Sequence, residues 1–191
     1  MKIGFCVEGS TDRAFLEGLR KLWCPDVEAV QGKFRGEFYR REIPQVCLEL
    51  RSKGVDLVIL LRDANKENWR DVLKGDVKCC APEDQDVVVV GVCDRNIECW
   101  LTADRDYAAN FTRRQPQDFA VDDPKKIFEV AFGITPLDHK EPELAQYTRE
   151  APLRRWLRNP SFENFYDSLR DKSRALNCSI PNLRESQRQR P

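Results

Sequence analysis

Asp-Val-Val-Val-Val-Gly-Val, residues 86–92, is the most strand-like stretch of the chain. Its β-branched side chains follow one another without polar alternation, which is typical of a parallel strand that is covered on both faces. Residues 55–61, Val-Asp-Leu-Val-Ile-Leu-Leu, have the same character, and residues 2–7 and 27–31 form two shorter strand-like runs. These segments predict the strands of a mostly parallel sheet.

Helical patterns fill the intervals between these strands. Apolar residues recur at helical spacing within residues 11–23, 40–53 and 65–78, and residues 96–103 form a shorter helical piece. An alternation of strands and helices predicts an α/β fold of the Rossmann-like kind, with helices flanking the sheet.

The pattern changes after Asp104, where strand-like runs largely disappear and prolines separate short helical pieces, among them residues 124–132, 153–157 and 162–176. We expect one domain over residues 1–182, in which the part from about residue 105 is a helical C-terminal appendix. Residues 183–191 have the polar composition of a flexible tail.

Composition places the chain among ordinary globular proteins, since 41% of its residues are hydrophobic and 34% are charged. No stretch approaches the roughly 20 apolar residues that cross a bilayer, and the N-terminus enters a strand at once, so we expect a cytoplasmic protein without a membrane partner. The eight cysteines form no Cys-x-x-Cys pair and the single histidine is His139. Buried free thiols are therefore the expected state of the cysteines.

Carboxylate and amide side chains follow the predicted strands at their ends. The carboxyl ends of parallel strands meet at one edge of a sheet, where ligands of such proteins bind. Hard oxygen ligands select Mg²⁺ or Mn²⁺, and a cation would offset the repulsion between converging carboxylates. We expect this edge to hold Mg²⁺ (or Mn²⁺) through six side chains, which are Glu8, Asp12, Asp63, Asn65, Glu98 and Asp104.

Each of these residues also has a structural explanation. Asp12 falls in the first turn of a helix, where an acid is favoured by the helix dipole. Glu98 sits on a short helix and would be ordinary helix surface. Glu8 and Asp63 directly follow apolar strands and are less readily explained by capping.

The spacing of these acids resembles that of the Toprim fold, which is shared by topoisomerases, bacterial primases and the overcoming-lysogenization-defect nucleases. Glu8-Gly9 corresponds to the glutamate-glycine that follows the first strand of that fold, and Asp63-Ala64-Asn65 to its Asp-x-Asp. Residues 97–104, Ile-Glu-Cys-Trp-Leu-Thr-Ala-Asp, look like the Glu-x-Trp-Leu-x-x-Asp segment of a Toprim-like family of uncharacterised bacterial proteins. The likeness covers most of residues 1–132, but Asn65 replaces the second aspartate of the family and brings no charge.

The resemblance implies a Mg²⁺-dependent nuclease that acts on DNA or RNA, with a role in phage defence. Glu8, Asp63 and Glu98 would be its catalytic residues, and a lysine, Lys125 or Lys140, would help to neutralise the transition state. The resemblance leaves a non-catalytic alternative open, a Toprim-like regulatory or scaffold subunit of a partner ATPase.

Basic and aromatic residues alternate in the segment 32–41, as in surfaces that bind nucleic acid. Its candidate nucleic-acid contacts are Lys33, Arg35, Arg40 and Arg41. A solvated loop without that role explains the segment equally well. A different Mg²⁺-dependent phosphoryl-transfer protein is a third reading, whereas the P-loop sequence of an ATPase is absent.

Overall fold

Four parallel strands form the central sheet in the computed structural model, which describes residues 1–32, 40–119, 122–133, 140–174, 178 and 180–184. The strands are β1 (Lys2–Val7), β2 (Glu28–Gln31), β3 (Leu57–Asp63) and β4 (Val88–Cys93). They lie in the order β2-β1-β3-β4, and each neighbouring pair is parallel. The predicted α/β architecture with a parallel sheet is confirmed.

The order in which the chain adds strands to the sheet reverses at β1, although all strands stay parallel. After β1 the chain runs outward through α1 (Ser10–Trp23) to β2, then crosses back to β3 on the other side of β1. α1 packs on one face of the sheet, whereas α2 (Ile43–Ser52) and α3 (Trp69–Cys79) pack on the other. The carboxyl ends of β1 and β3 therefore lie side by side at a topological switch point, where α/β proteins bind their ligands.

Six α-helices follow β4 within the described residues. They are α4 (Glu98–Leu101), α5 (Arg105–Thr112), α6 (Pro124–Phe132), α7 (Glu141–Glu150), α8 (Leu153–Trp156) and α9 (Pro160–Ser173). Their apolar side chains join α1 in one aromatic core, in which Phe15, Trp100, Trp156 and Phe165 are fully buried. The helical appendix therefore shares the core of the sheet. The bounds of α6 are those predicted, while α5 and α7 were not predicted.

α1 and α7 pack closely because α1 carries a glycine at their contact. A Cβ atom at Gly18 would lie 2.5 Å from the carbonyl oxygen of Ala145 and 2.7 Å from the Cβ of Thr148. Real Cβ atoms do not approach other atoms so closely, and any larger residue would push the two helices apart. This contact fixes α7 against α1.

The C-terminal residues return to the end of α1. Cys178 forms a disulfide with Cys24, with the two Cα atoms 5.5 Å apart, which corrects the prediction that all cysteines are free. The sequence could not indicate this pair because 154 positions separate its members. Arg184 bonds to Glu163 and Asp167 of α9, and residues 185–191 of the predicted tail lie outside the described part.

The other six cysteines are free thiols, as predicted, and Cys6, Cys47 and Cys93 are buried. Burial raises the pKa of Cys47 to about 12 and that of Cys80 to about 11, so both stay neutral. Among the described residues, no helix has both the length and the apolar character needed to cross a bilayer.

Candidate metal centre

Glu8 and Asp63 meet at the switch point. β1 and β3 pair in register up to Val7 and Leu61, so Glu8 follows β1 at the level of Arg62, one residue before β3 ends at Asp63. The backbone amide of Asp63 donates a hydrogen bond to Oε2 of Glu8 at 3.1 Å. The Glu8 side chain therefore lies across the end of β3, next to the Asp63 backbone.

Asp12 lies in the first turn of α1 and is only 5% exposed. Its Oδ2 accepts a hydrogen bond from the backbone amide of Gly9 at 2.8 Å, which satisfies one open donor at the start of the helix. Its Oδ1 is buried without a hydrogen-bond partner among the described residues. Capping therefore explains one oxygen of Asp12 and leaves the other unexplained.

Asp63 is half-buried, and its Oδ1 is likewise buried without a hydrogen-bond partner within the described part of the chain. Burial and, after it, the neighbouring carboxylates of Asp12, Glu8 and Glu98, in that order, together raise the pKa of Asp63 to about 8. The backbone amide of Ile97, at the start of α4, acts in the opposite direction. Asp63 is thus the residue on which the other acids act together.

The same acids act on Asp12 and on each other. Burial raises the pKa of Asp12 to about 7, with Glu8 and Glu98 adding to the effect and the Gly9 amide opposing it. Burial also raises the pKa of Glu98, and the positive charge of Lys125 on α6 opposes this effect. Four of the six predicted residues therefore form one electrostatically coupled group, which we call the acidic cluster: Glu8, Asp12, Asp63 and Glu98.

Asp104 does not belong to this cluster, and its place corrects the prediction. Its Oδ1 accepts a hydrogen bond from the backbone amide of Tyr107 and caps α5, while its Oδ2 pairs with Nη1 of Arg155 at 3.1 Å. Both oxygens serve the packing of the C-terminal helices. The cause is α8, which carries Arg155 and which the sequence pattern around Asp104 does not reveal.

Asn65 lies just beyond β3, in a left-handed backbone conformation with a φ of 54°. Its backbone amide donates to the carbonyl of Arg95, a residue that is also left-handed, with a φ of 68°. Asparagine adopts this conformation more readily than most residues. The hydrogen bond ties together the loops that follow β3 and β4, while the Asn65 side chain is exposed at the rim of the site.

The described residues include no group of three or more His, Cys, Asp or Glu side chains arranged to hold a metal ion. In this arrangement the carboxylates of the acidic cluster interact without converging on one point. Their chemistry nevertheless fits a hard cation, because all are oxygen ligands and two of their oxygens are buried without a hydrogen-bond partner among the described atoms. Metal binding therefore stays a prediction.

The predicted nucleic-acid contacts divide into three groups. Lys33 and Arg35 lie outside the described residues. Arg40 donates from Nε to Oδ1 of the fully buried Asp76 at 2.7 Å, an ion pair that fixes the start of α2 against α3. The Arg40 side chain is still 45% exposed, and Arg41 is exposed as well, so the nucleic-acid role of both residues stays a prediction.

Two features near the site were missed by sequence reasoning. Arg13 bridges α1 to Glu141 at the start of α7 and donates to Oε1 of Gln31 at 3.1 Å. Ser161, at the start of α9, accepts hydrogen bonds from the Asp94 backbone amide and from Nε1 of Trp100. No local sequence pattern indicates the contacts of either residue, because their partners come from distant parts of the chain.

The Ser161 contact brings basic side chains to this edge of the sheet. It joins the α8–α9 corner to the loop after β4, which carries the exposed Arg95. Arg154 and Arg158, on and just after α8, are exposed and form no ion pair with the residues described. The α8–α9 corner and Arg95 thus lie at the carboxyl end of β4, the edge of the sheet that also carries the acidic cluster, and we call Arg95, Arg154 and Arg158 the basic rim.

The fold and the cluster together define a parallel α/β protein with coupled carboxylates at its switch point. No family model, curated protein or solved structure matches the chain. The likeness to Toprim proteins accordingly stays a resemblance carried by the residues quoted above.

Proposed function

We propose that the acidic cluster binds Mg²⁺ (or Mn²⁺) and that the protein is a metal-dependent nuclease acting on DNA or RNA. The observation that carries the proposal is the pair of buried, unpartnered oxygens, Asp12 Oδ1 and Asp63 Oδ1, among coupled carboxylates at the switch point. Leaving a buried carboxylate oxygen unsatisfied is costly, and a bound cation removes that cost. The proposal includes a cytoplasmic location.

In the proposed reaction, the ion when bound neutralises the charge on a scissile phosphate and favours deprotonation of a water. The residues of the chain have separate tasks. Asp63 and Asp12 would hold the cation in their ionised forms, and Glu8 is kept in place by the Asp63 amide. Lys125, whose charge acts on Glu98, is our candidate for the cation that offsets charge developing on the phosphate.

Nucleic acid is the favoured phosphodiester substrate because the basic rim lies at the same edge of the sheet as the acidic cluster. A polyanion would be repelled by the cluster alone, and the exposed Arg95, Arg154 and Arg158 offer phosphate contacts. These contacts read the backbone and not the base sequence.

The test is calorimetric titration of Mg²⁺ and of Mn²⁺ into the protein, followed by cleavage assays on single- and double-stranded DNA and RNA. We expect saturable binding in the wild type and its loss in Glu8→Gln, a change that removes one charge and keeps the shape. Asp94→Asn is the matched control, because Asp94 also follows a strand but is exposed, and its carboxylate accepts no hydrogen bond from the described residues. Absence of binding to a folded wild type would refute the proposal and favour the regulatory subunit of a partner ATPase.

Replacing Arg154 and Arg158 together by glutamine is expected to weaken nucleic-acid binding uniformly across sequences. The slope of log affinity against log salt should become shallower by about one to two, because each phosphate contact releases about one counterion. Fluorescence anisotropy across a salt series measures this slope.

The control for this pair is Lys74→Gln with Lys78→Gln on α3, which removes the same charge from another exposed surface. An equal change of slope in both double variants would mean that net charge alone governs binding, and the basic rim would lose its assigned role.

A further inference from the structure

Two cavities meet beside the acidic cluster. The first, of about 270 Å³, is lined by Glu8, Gly9 and Ser10 and lies at the carboxyl ends of β1 and β2. The second, of about 300 Å³, lies between α1, β2 and α7. Arg13 and Gln31 line both cavities. Arg13 and Gln31 are hydrogen-bonded to each other and stand between the two cavities, so a ligand that occupies both would contact these two side chains.

The sides of the second cavity are formed by small, mostly apolar side chains. Ala14 of α1, Ala29 of β2, and Pro142 and Ala145 of α7 form its sides, and Phe5 of β1 forms part of its floor. α1 and α7 touch where Gly18 meets Ala145. The short side chains on either side of that contact leave space between the helices, so the cavity follows from the sequence of these walls.

Polar groups stand at both ends of this cavity. At the end nearest Glu8, Gln31 accepts from Arg13 through Oε1, while its amide nitrogen has no hydrogen-bond partner in the described part of the chain. At the other end lie Glu17 and Lys21. Arg13 and Lys21 are eight positions apart on α1, so the cavity extends roughly 12 Å along the helix.

We propose that this cavity binds the nucleoside portion of a nucleotide whose phosphate lies at the acidic cluster; the inference rests on the proposed function for the phosphate. A slot with apolar walls and a few polar groups at its ends suits a planar base with polar edges, and its volume is in the range of small-ligand sites. The Gln31 amide supplies a donor for a base or sugar acceptor.

The substrate class follows from this assignment. A base inside the cavity cannot be stacked or paired within a duplex, and extruding it costs a few kcal/mol unless the strand is already single. The protein should therefore act on single strands or strand ends in preference to continuous duplex. Arg95, Arg154 and Arg158 would then contact the phosphates that continue outside.

The experiment uses the full chain with labelled alanine methyl groups and, first, no metal. Titration with adenosine or uridine is expected to shift the methyl signals of Ala14, Ala29 and Ala145 and to leave those of Ala64 and Ala108 unchanged. Ala29→Trp, at an exposed position on the cavity wall, should weaken nucleoside binding at least about tenfold by filling the slot. Glu28→Trp, the neighbouring exposed residue that does not line the cavity, is the matched control.

The second stage compares a nucleoside 5′-monophosphate with inorganic phosphate in the presence of Mg²⁺. Tighter binding of the nucleotide in the wild type, lost in Ala29→Trp while Mg²⁺ binding persists, supports the assignment. Mg²⁺ binding without any nucleoside-induced shift overturns the cavity assignment and leaves the proposed metal function standing. Nucleoside shifts that are unchanged in Ala29→Trp also overturn it. Nucleoside binding in a protein that binds no Mg²⁺ supports the cavity assignment and refutes the metal function.

Discussion

Asp63→Asn is expected to stabilise the metal-free protein at pH 8 by about 1–3 kcal/mol, although it replaces a residue of the proposed centre. Burial and three neighbouring carboxylates raise the pKa of Asp63 to about 8, which means that its ionised form is disfavoured in the folded state. Asparagine keeps nearly the same shape and removes the charge. The gain should appear in thermal or denaturant unfolding with divalent ions chelated.

The same substitution should abolish stabilisation by Mg²⁺. A ligand that binds only the folded state adds about 2.7 kcal/mol at a concentration 100 times its dissociation constant, and the wild type should show a gain of that order. Asp63→Asn should show little or none. The expected signature is a reversed ranking of the two proteins once the Mg²⁺ concentration is high enough for stabilisation by the ion to exceed the gain from the substitution: the variant is more stable without Mg²⁺ and the wild type more stable with it.

The control is again Asp94→Asn, whose carboxylate is exposed at the end of the neighbouring strand. We expect it to change the free energy of unfolding little under either condition. If Asp63→Asn lowers stability in the chelated protein, the carboxylate makes a favourable contact that the coupled cluster does not account for, and the electrostatic description of the site is wrong.

The sheet could be predicted because its strands carry their own signal. Residues 86–92 and 55–61 are apolar on both faces, and only a buried parallel strand accommodates such runs. The two helices that were not predicted, α5 and α7, have no comparably clear sequence pattern. α5 buries only Ala108 and Ala109, and α7 mixes buried Leu144 and Tyr147 with exposed charged residues, so their periodicity is weak. Tertiary packing, and not local propensity, determines these two helices.

The residues of the site can also be divided into those that the sequence predicts and those that it does not. The positions of Glu8, Asp12 and Asp63 follow from the strands that end beside them, and their coupling follows from the parallel order of β1 and β3. The ion pairs of Asp104 with Arg155 and of Arg40 with Asp76 could not be predicted, because each joins residues that are distant in the sequence.

The cavity beside Arg13 depends on distant residues as well. Its third wall is α7, which lies more than a hundred positions further along the chain than α1. Sequence patterns specify single elements and the ends of strands, whereas side chains that connect two distant elements appear only once the fold is known.

A rise in pH should lower the stability of the metal-free protein and raise its affinity for Mg²⁺. Asp63 and Asp12, with pKa values raised to about 8 and about 7, bind more protons in the folded than in the unfolded state at intermediate pH. Stability of the metal-free protein should therefore fall as the pH rises from about 4, the ordinary range of an aspartate, through about 8. Chemical unfolding with a chelator, at pH 5.5, 7 and 8.5, measures this trend.

Binding of Mg²⁺ should have the reverse dependence, because the cation needs both carboxylates ionised and displaces their protons. Between pH 6 and pH 8.5 the affinity should rise roughly 100-fold or more, since two raised pKa values are crossed in that interval. Calorimetry in buffers of different ionisation enthalpy would count the released protons, and Asp63→Asn should reduce any remaining release. An affinity that is constant over this range would mean that the ion binds groups already ionised at pH 6, and Asp12 and Asp63 would then not be its ligands.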